Sequence, residues 1–342
     1  MKSKGNGKVK SSVNILEKNK TKKTFRELGL LIFLIVLCVV FQAINPTFFT
    51  WENLADMLRN TSILAILAVG MMMVMITGGI DLSVGAIVAL AGMVSALTVQ
   101  YVPQLPAAVA ILIGMGVGIG CGAVNGVLVA KGRIIPIIAT LGMMNVFRGL
   151  TYLISGSKWV SAHQMSDGFK SIATSGIGPI NTLIIIAVVV VLIFYYFLNY
   201  NRTGRYIYAV GSNPESAVIT GIKKDRILIM SYTLLGLLTG MAGVLWVAKF
   251  ASAQGDTATG YEMNVIAACV LGGVSVSGGT GKVGGLLLGV LLLGVLQNAL
   301  PLINVSTFWE DFIQGIIILV AILLNISVKR RADKNALKRR EI

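Results

Sequence analysis

Residues 107–130 read AAVAILIGMGVGIGCGAVNGVLVA, an apolar run without a charged residue. At about 1.5 Å per residue, a helix of this length crosses about 30 Å of hydrocarbon. Gly114, Gly118 and Gly122 recur at every fourth position, which allows a second helix backbone to approach closely in lipid. Packing within one helical bundle and dimerisation of two chains both explain this spacing. The stretch therefore predicts a membrane-spanning helix packed tightly against a neighbour.

Similar apolar runs recur along the 342-residue chain, of which 55% is hydrophobic and 13% charged. Soluble domains carry roughly a quarter charged residues. The runs predict ten spans, at approximately 28–44, 61–78, 82–100, 107–130, 134–154, 180–199, 227–248, 263–274, 284–300 and 309–327. The eighth run is short for a full span and is interpreted as broken or re-entrant. We therefore expect an all-α, polytopic helical membrane protein.

The net charge of +15 is concentrated in the two tails and a few short loops. With the N-terminus inside, most Lys and Arg residues fall on the inner side, which is the positive-inside bias. This predicts cytoplasmic basic tails at 1–27 and 328–342, flanking a transmembrane domain at 28–327, with both termini in the cytoplasm. The same placement argues against a nucleic-acid partner.

Side chains suited to covalent or metal chemistry are scarce. The cysteines Cys38, Cys121 and Cys269 fall in separate apolar runs and are expected to be buried. His163 is the single histidine of the sequence, so no His-based metal cluster or catalytic triad is expected. The loop GGTGKV at 278–283 fails the phosphate-loop spacing. The sequence predicts no catalytic residue, metal or cofactor, so uphill transport would draw on an ion gradient or another subunit.

Asp81 is an acidic residue at a span junction, and two compatible roles are open to it. Ionisable groups at membrane depth are costly, which favours contact with a substrate or ion. An aspartate directly before a helix also accepts from the backbone N–H groups that open that helix. The second role is the more common one.

Other polar residues within the spans extend the set of candidate substrate-pathway residues. Arg148 follows Asn145 by one helical turn, and it either snorkels outward or lines a polar cavity with that amide. A neutral polyol would need amides and hydroxyls, although interhelical hydrogen bonds are the commoner use of such groups. The candidate pathway residues are Asp81, Asn145, Arg148, Asn264, Gln297 and Asn298; Asn125 is a further amide within a span.

Residues 201–226, NRTGRYIYAVGSNPESAVITGIKKDR, form the longest polar segment between apolar runs. Five Lys or Arg residues against two acidic ones place this segment on the cytoplasmic side. Pro214 to Gly221 reads as a short helix, because proline suits a helix start. A polar helix between two spans has no role facing lipid, which indicates a docking partner.

Two glycine-rich breaks between spans are weakly similar to each other. TGGIDLSVG occupies 77–85 and LGGVSVSGGTGKVGG occupies 271–285. Both fall between spans on the predicted inner side. Paired glycine-interrupted segments of this kind often mark the substrate path of a transporter.

Several of these stretches resemble one transporter family. Within GSNPESAVITGI at 211–222, Glu215-Ser216-Ala217 followed by Gly221 resembles the E-A-A-x-x-x-G loop of ABC importer permeases, departing at Ser216. ITGGIDLSVGAIVALAGMVSA at 76–96 and the break at 271–285 resemble the ribose/xylose-type sugar permeases. The similarity extends over about residues 30–327 and is specific to the monosaccharide permeases for ribose, xylose, rhamnose and autoinducer-2.

The resemblance implies the permease subunit of an importer in the bacterial inner membrane. Its partners would be a cytoplasmic ABC ATPase subunit that hydrolyses ATP, an extracytoplasmic sugar-binding protein, a second identical or related permease copy, and membrane lipid. It assigns the ATPase-coupling loop to Asn213, Pro214, Glu215, Ser216, Ala217 and Gly221. The chain itself would not be an enzyme. An ion-coupled secondary transporter using Asp81, and a passive channel or scaffold, are the alternatives.

Overall fold

The computed structural model of the protein describes residues 28–306 and, beyond them, 309, 312, 313, 315, 316, 319 and 320. The regular secondary structure of this part is helical, apart from one hairpin of two-residue strands and an isolated bridge. The all-α expectation is therefore confirmed for the described residues. The tails 1–27 and 328–342, and much of the predicted span 309–327, lie outside them.

In chain order the helices are α1 (Leu28–Ile44), α2 (Trp51–Ile76), α3 (Val84–Tyr101), α4 (Ala107–Ala130), α5 (Pro136–Ser155), α6 (Asp167–Thr174), α7 (Thr182–Tyr200), α8 (Arg202–Ser212), α9 (Pro214–Ile219), α10 (Lys224–Phe250), α11 (Tyr261–Leu271) and α12 (Val283–Leu302). Two 3₁₀ turns lie at Pro46–Phe49 and Ala162–Gln164, and a hairpin joins β1 (Gly176–Ile177) to β2 (Ile180–Asn181).

Seven helices within the described residues are long and apolar enough to cross a membrane: α2, α3, α4, α5, α7, α10 and α12. Two further predicted runs correspond to the shorter apolar helices α1 and α11. With 11 residues, α11 rises only about 16 Å, roughly half the hydrocarbon thickness. The short eighth run is thus a half-length helix, and the seven long helices do not by themselves give the ten spans predicted.

The first of these long helices begins earlier than the apolar pattern indicates. The prediction placed this span at 61–78, whereas α2 starts at Trp51. The Thr50 hydroxyl accepts from the Asn53 N–H and caps the helix, directly after the 3₁₀ turn at Pro46–Phe49. The side-chain cap thus starts α2 ten residues before the predicted span, within a polar stretch that hydropathy does not assign to a span.

The centre of the bundle is α10, which packs along α4 through glycines. A Cβ atom built on Gly118 would overlap the carbonyl oxygen of Gly236 and would lie 2.8 Å from the Cα of Gly240. Gly116 and Gly120, on the opposite face of α4, have nothing within 4 Å. The glycines spaced by four therefore bring two backbones into contact, as the sequence predicts.

Two connecting loops enter the bundle from opposite ends. The loop at 77–83 reaches Tyr232, whose hydroxyl would lie 2.6 Å from a Cβ on Gly79 and which sits eight residues into α10. The loop at 251–260 reaches the start of α3, where a Cβ on Gly85 would overlap the carbonyl oxygen of Ala258. Helices α3 and α11 therefore begin inside the bundle, an arrangement in which discontinuous helices expose backbone groups at depth.

Candidate functional site

The polar segment at 201–226 folds into two short helices set by local capping. The Asn201 side chain accepts from the Thr203 N–H at 3.0 Å and opens α8. The Asn213 side chain accepts from the Ser216 N–H at 2.9 Å and opens α9, with Pro214 in its first turn. A single residue joins the two helices, so α9 follows any displacement of the end of α8.

α9 exposes an apolar tip. Ala217 is buried against the bundle, whereas Val218 is 54% and Ile219 is 85% exposed. Glu215 lies exposed in the first turn, where its charge complements the helix dipole. Gly221 ends the segment at φ +84°, a left-handed conformation that favours glycine. Exposed apolar side chains beside charged ones are typical of a surface that meets a partner.

The end of α8 contacts the end of α2, directly before the first glycine-rich break, and also contacts the second break. A Cβ on Gly211 would overlap the carbonyl oxygen of Ile76, the last residue of α2, and would lie 2.8 Å from the Gly279 nitrogen. The Gly279 N–H donates to the same Ile76 oxygen at 2.8 Å. The Tyr208 hydroxyl donates to the carbonyl of Gly281 at 3.0 Å. We call this contact of α8, the end of α2 and the loop 272–282 the glycine junction.

Asp81 is fully buried and its carboxylate is held by protein donors. One oxygen accepts from the Ser83 N–H at 2.8 Å and from the Ser83 hydroxyl at 2.6 Å. The other accepts from the Asn125 amide of α4 at 3.0 Å. Ser83 directly precedes α3, so this carboxylate organises the start of that helix. The geometry supports the helix-opening interpretation, although Ser83 rather than Asp81 occupies the cap position.

Two residues that the sequence did not single out hold the same loop. The Thr140 hydroxyl accepts from the Leu82 N–H at 3.1 Å, and the Tyr232 hydroxyl donates to the Ile80 carbonyl at 3.4 Å. Together with Asn125, they fix the loop 79–83 between α4, α5 and α10. The signal available in the sequence was a polar side chain within an apolar helix. Their hydrogen-bond partners could not be predicted, because these are backbone atoms of the loop.

Arg148 and Asn145 do not share a cavity in this structure. Arg148 turns into the bundle and donates to the carbonyls of Gly255 at 2.9 Å and Thr257 at 2.7 Å. Asn145 is exposed on α5 and donates to Leu141 of its own helix at 3.3 Å. The guanidinium thus satisfies the backbone of the loop 251–260 at the point where that loop enters the bundle.

Gln297 and Asn298 line a cavity of about 300 Å³ between α2, α10, α12 and the start of α11. Asn298 also exchanges two hydrogen bonds with Asn53 of α2, each 3.0 Å. Asn264 lies on α11, one turn after Tyr261, and is not part of the cavity lining. The six predicted pathway residues are therefore dispersed: Asp81 and Arg148 hold loops, and two amides border a cavity.

Comparisons with known proteins agree on one family. Residues 53–322 match the family described as "Branched-chain amino acid transport system / permease component". The ribose import permease protein RbsC of Escherichia coli K12 is 41% identical over 89% of this chain and 95% of its own. The autoinducer 2 import system permease protein LsrC of Klebsiella pneumoniae is 36% identical, covering 88% of this chain and 86% of its own.

The L-arabinose ABC transporter permease protein AraH of Azospirillum brasilense is 36% identical, covering 91% of this chain and 90% of its own. No solved structure matches the chain. The match over most of the sequence, together with the seven span-length helices in the described residues, confirms the resemblance found in the motifs. The chain belongs to the ABC-importer permease family that includes the ribose, autoinducer 2 and L-arabinose permeases, and it is a multi-pass protein of the bacterial inner membrane.

Proposed function

We propose that the protein is the membrane permease subunit of an ABC importer that carries a monosaccharide into the cytoplasm. A separate cytoplasmic ATPase subunit supplies the energy, and an extracytoplasmic sugar-binding protein delivers the cargo. The observation that carries the proposal is the exposed helix α9, which is joined through α8 to the glycine junction. A partner that binds α9 therefore acts on two loops that enter or border the bundle.

A sugar is favoured over an amino acid as cargo. The family description names branched-chain amino acids, but it covers a broad group of permeases. Relatives that align along almost their whole length carry names for ribose, autoinducer 2 and arabinose import. Near-complete alignment at 41% identity to a ribose permease is the narrower observation, and it supports a sugar as the cargo.

The proposed topology has ten spans with both termini in the cytoplasm. Helices α1 and α11 and the predicted span 309–327 supplement the seven long helices. The basic segments 1–27, 201–226 and 328–342 then lie inside, as the positive-inside bias favours. A second permease copy completes the pore, and lipid surrounds the outer helices, many of whose large apolar side chains are exposed.

In this mechanism closure of the ATPase displaces α9, and the displacement reaches the glycine junction. Asn213 links α9 to α8, and Gly211 presses on the end of α2. The loop 272–282, which leads into α12, moves with them because Gly279 and Gly281 are hydrogen bonded at the junction. ATP binding shifts the population between outward-open and inward-open bundles by favouring the contacts of one of them.

The test uses the complete importer, in which the permease is co-expressed with its ATPase subunit and sugar-binding protein, with labelled pentoses as cargo. Glu215→Lys reverses the charge on the exposed face of α9, and Gly221→Leu forces a branched side chain into a left-handed position. Each is expected to lower ATP-dependent uptake at least tenfold with normal membrane abundance. Glu52→Lys, a first-turn acidic residue of α2 that is also exposed, is the matched control and keeps uptake.

The ion-coupled alternative predicts the opposite pattern. Uptake would then continue without any ATPase subunit and would be abolished by an ionophore. Both oxygens of Asp81 are already hydrogen bonded to Ser83 and Asn125, so the structure does not favour its use as a coupling carboxylate. Normal ATP-dependent uptake by both α9 variants would count against the proposed coupling helix.

A further inference from the structure

The cavity beside Gln297 lies at depth within the bundle. A Cβ on Gly294 of α12 would lie 3.1 Å from the Cβ of Thr61, so α2 and α12 touch at the bottom of the cavity. Thr61 lies ten residues into α2, which corresponds to about 15 Å along that helix. The cavity is thus closed by the helix contact at Thr61 and open on the side of Asn60 and Phe250, whose side chains are exposed.

One wall of the cavity is aromatic. The rings of Trp246 and Tyr261 meet edge to face, with centroids 4.8 Å apart, and both line the cavity. Phe250 continues the wall, with its ring centroid 5.2 Å from that of Trp246. Such rings offer a rigid apolar face with a polar edge, which suits a ligand that is apolar on one face and hydroxylated around its rim.

Other lining residues present polar groups that form no hydrogen bond or salt bridge within the described part of the chain. Within the described residues, the amides of Asn60 and Gln297 form no hydrogen bonds, although both border the cavity. Lys249 places its ammonium 4.6 Å from the ring centre of Phe250 and pairs with no carboxylate of the described part of the chain within 4.0 Å. A few convergent polar groups on an apolar wall are the usual composition of a small-molecule site.

We propose that this cavity holds one monosaccharide during its passage through the permease, an inference that rests on the proposed function. The C–H face of the sugar packs on Trp246 and Tyr261. The amides of Asn60 and Gln297 bind the hydroxyl groups, and the Lys249 ammonium donates to a hydroxyl or ring oxygen. The volume of about 300 Å³ is at the lower end of the range for small-molecule pockets and suits one sugar ring.

The same lining favours a neutral ligand. Among the described residues that line the cavity, Lys249 is the one charged side chain, and no carboxylate accompanies it. An amino acid can pair its carboxylate with Lys249, but its ammonium group finds no carboxylate on the wall and is left as an unpaired charge. A neutral sugar brings no charge that needs a partner.

The experiment measures equilibrium binding to the full-length permease in lipid nanodiscs, without ATPase or binding protein. The probes are tritiated D-ribose, L-arabinose, D-xylose, L-rhamnose and, for comparison, L-leucine. We expect saturable binding of at least one sugar with a dissociation constant below about 10 mM, and none of leucine. Gln297→Leu and Lys249→Met are expected to weaken sugar binding at least tenfold, whereas Gln100→Leu on α3, outside the cavity, leaves it unchanged.

Two results would overturn the site: no saturable sugar binding by the wild-type permease, or equal binding by wild type, Gln297→Leu and Lys249→Met. Thermal unfolding of each variant shows that a loss of binding is not a loss of fold. If these variants also import sugar normally with ATP, the cavity proposal fails while the importer proposal stands. If the nanodisc protein binds sugar but the complete system shows no ATP-dependent uptake, the importer proposal fails while the cavity stands.

Discussion

Gly211 is the residue at which a single methyl group should separate the coupling helix from the glycine junction. A Cβ at this position would overlap the Ile76 carbonyl oxygen and approach the Gly279 nitrogen to 2.8 Å. Both of these are backbone atoms, so the added methyl cannot be accommodated by a side-chain rotation. Gly211→Ala must therefore push α8 away from the end of α2 or break the Gly279–Ile76 hydrogen bond.

The size of the effect follows from three terms of known magnitude. Overpacking a well-packed site costs about 1–3 kcal/mol. Leaving a buried N–H or C=O unpaired costs about 1–3 kcal/mol more. Alanine in place of glycine within a helix returns about 1 kcal/mol. Conformations that keep the junction closed are therefore expected to be destabilised by about 1–5 kcal/mol. Over most of this range, the destabilisation is larger than the free energy of a tenfold population shift.

The assay is the number of sugar molecules imported per ATP hydrolysed, measured in proteoliposomes that contain the complete transporter. Gly211→Ala is expected to reduce this ratio at least tenfold while ATP hydrolysis continues, because the ATPase still engages α9. Gly116→Ala is the matched control, since nothing lies within 4 Å of its Cβ position. An unchanged ratio for Gly211→Ala would refute the transmission of movement through the junction.

Three further predictions concern stability and energy source. Gly118→Leu should prevent α4 from packing on α10 and lower the yield of folded protein on size-exclusion chromatography, whereas Gly120→Leu, with open space around it, should not. Arg148→Met removes two charge-assisted hydrogen bonds to loop carbonyls and should lower the free energy of unfolding by about 3 kcal/mol, measured by denaturant titration. Asp81→Asn should destabilise by about 1–3 kcal/mol, yet uptake should remain driven by ATP and insensitive to an ionophore; abolished uptake in a folded variant would contradict this.

The apolar runs and glycine spacing predicted the helical class and the packing of α4 because both properties are local. A span is defined by its own hydropathy, and glycines spaced by four define one helix face. The short helix α9 was also predicted locally, from Pro214 and the polar, basic stretch around it. α8 was missed as a helix because its polar composition resembles a loop, and its start depends on the single side-chain cap of Asn201.

The long-range features could not be predicted in the same way. Arg148 binds backbone carbonyls more than 100 positions later in the chain, and carbonyl groups carry no sequence signal. The glycine junction joins Ile76, Gly211 and Gly279, which only the fold brings together. The cavity likewise depends on how α2, α10 and α12 converge. Gln297 and Asn298 were predicted as pathway residues because they are amides in an apolar run, whereas the aromatic wall was not predicted.

The contact between α4 and α10 determines which part of the permease can remain still. Where Gly118 faces Gly236, two main chains touch directly, with no side chains between them that could change rotamer. Sliding of one helix along the other would bring Cβ atoms of the flanking residues into collision with the facing backbone. Gly92 of α3 faces Gly243 of α10 in the same way, so α3, α4 and α10 form one rigid unit, against which α11 and the loops that enter the bundle can move.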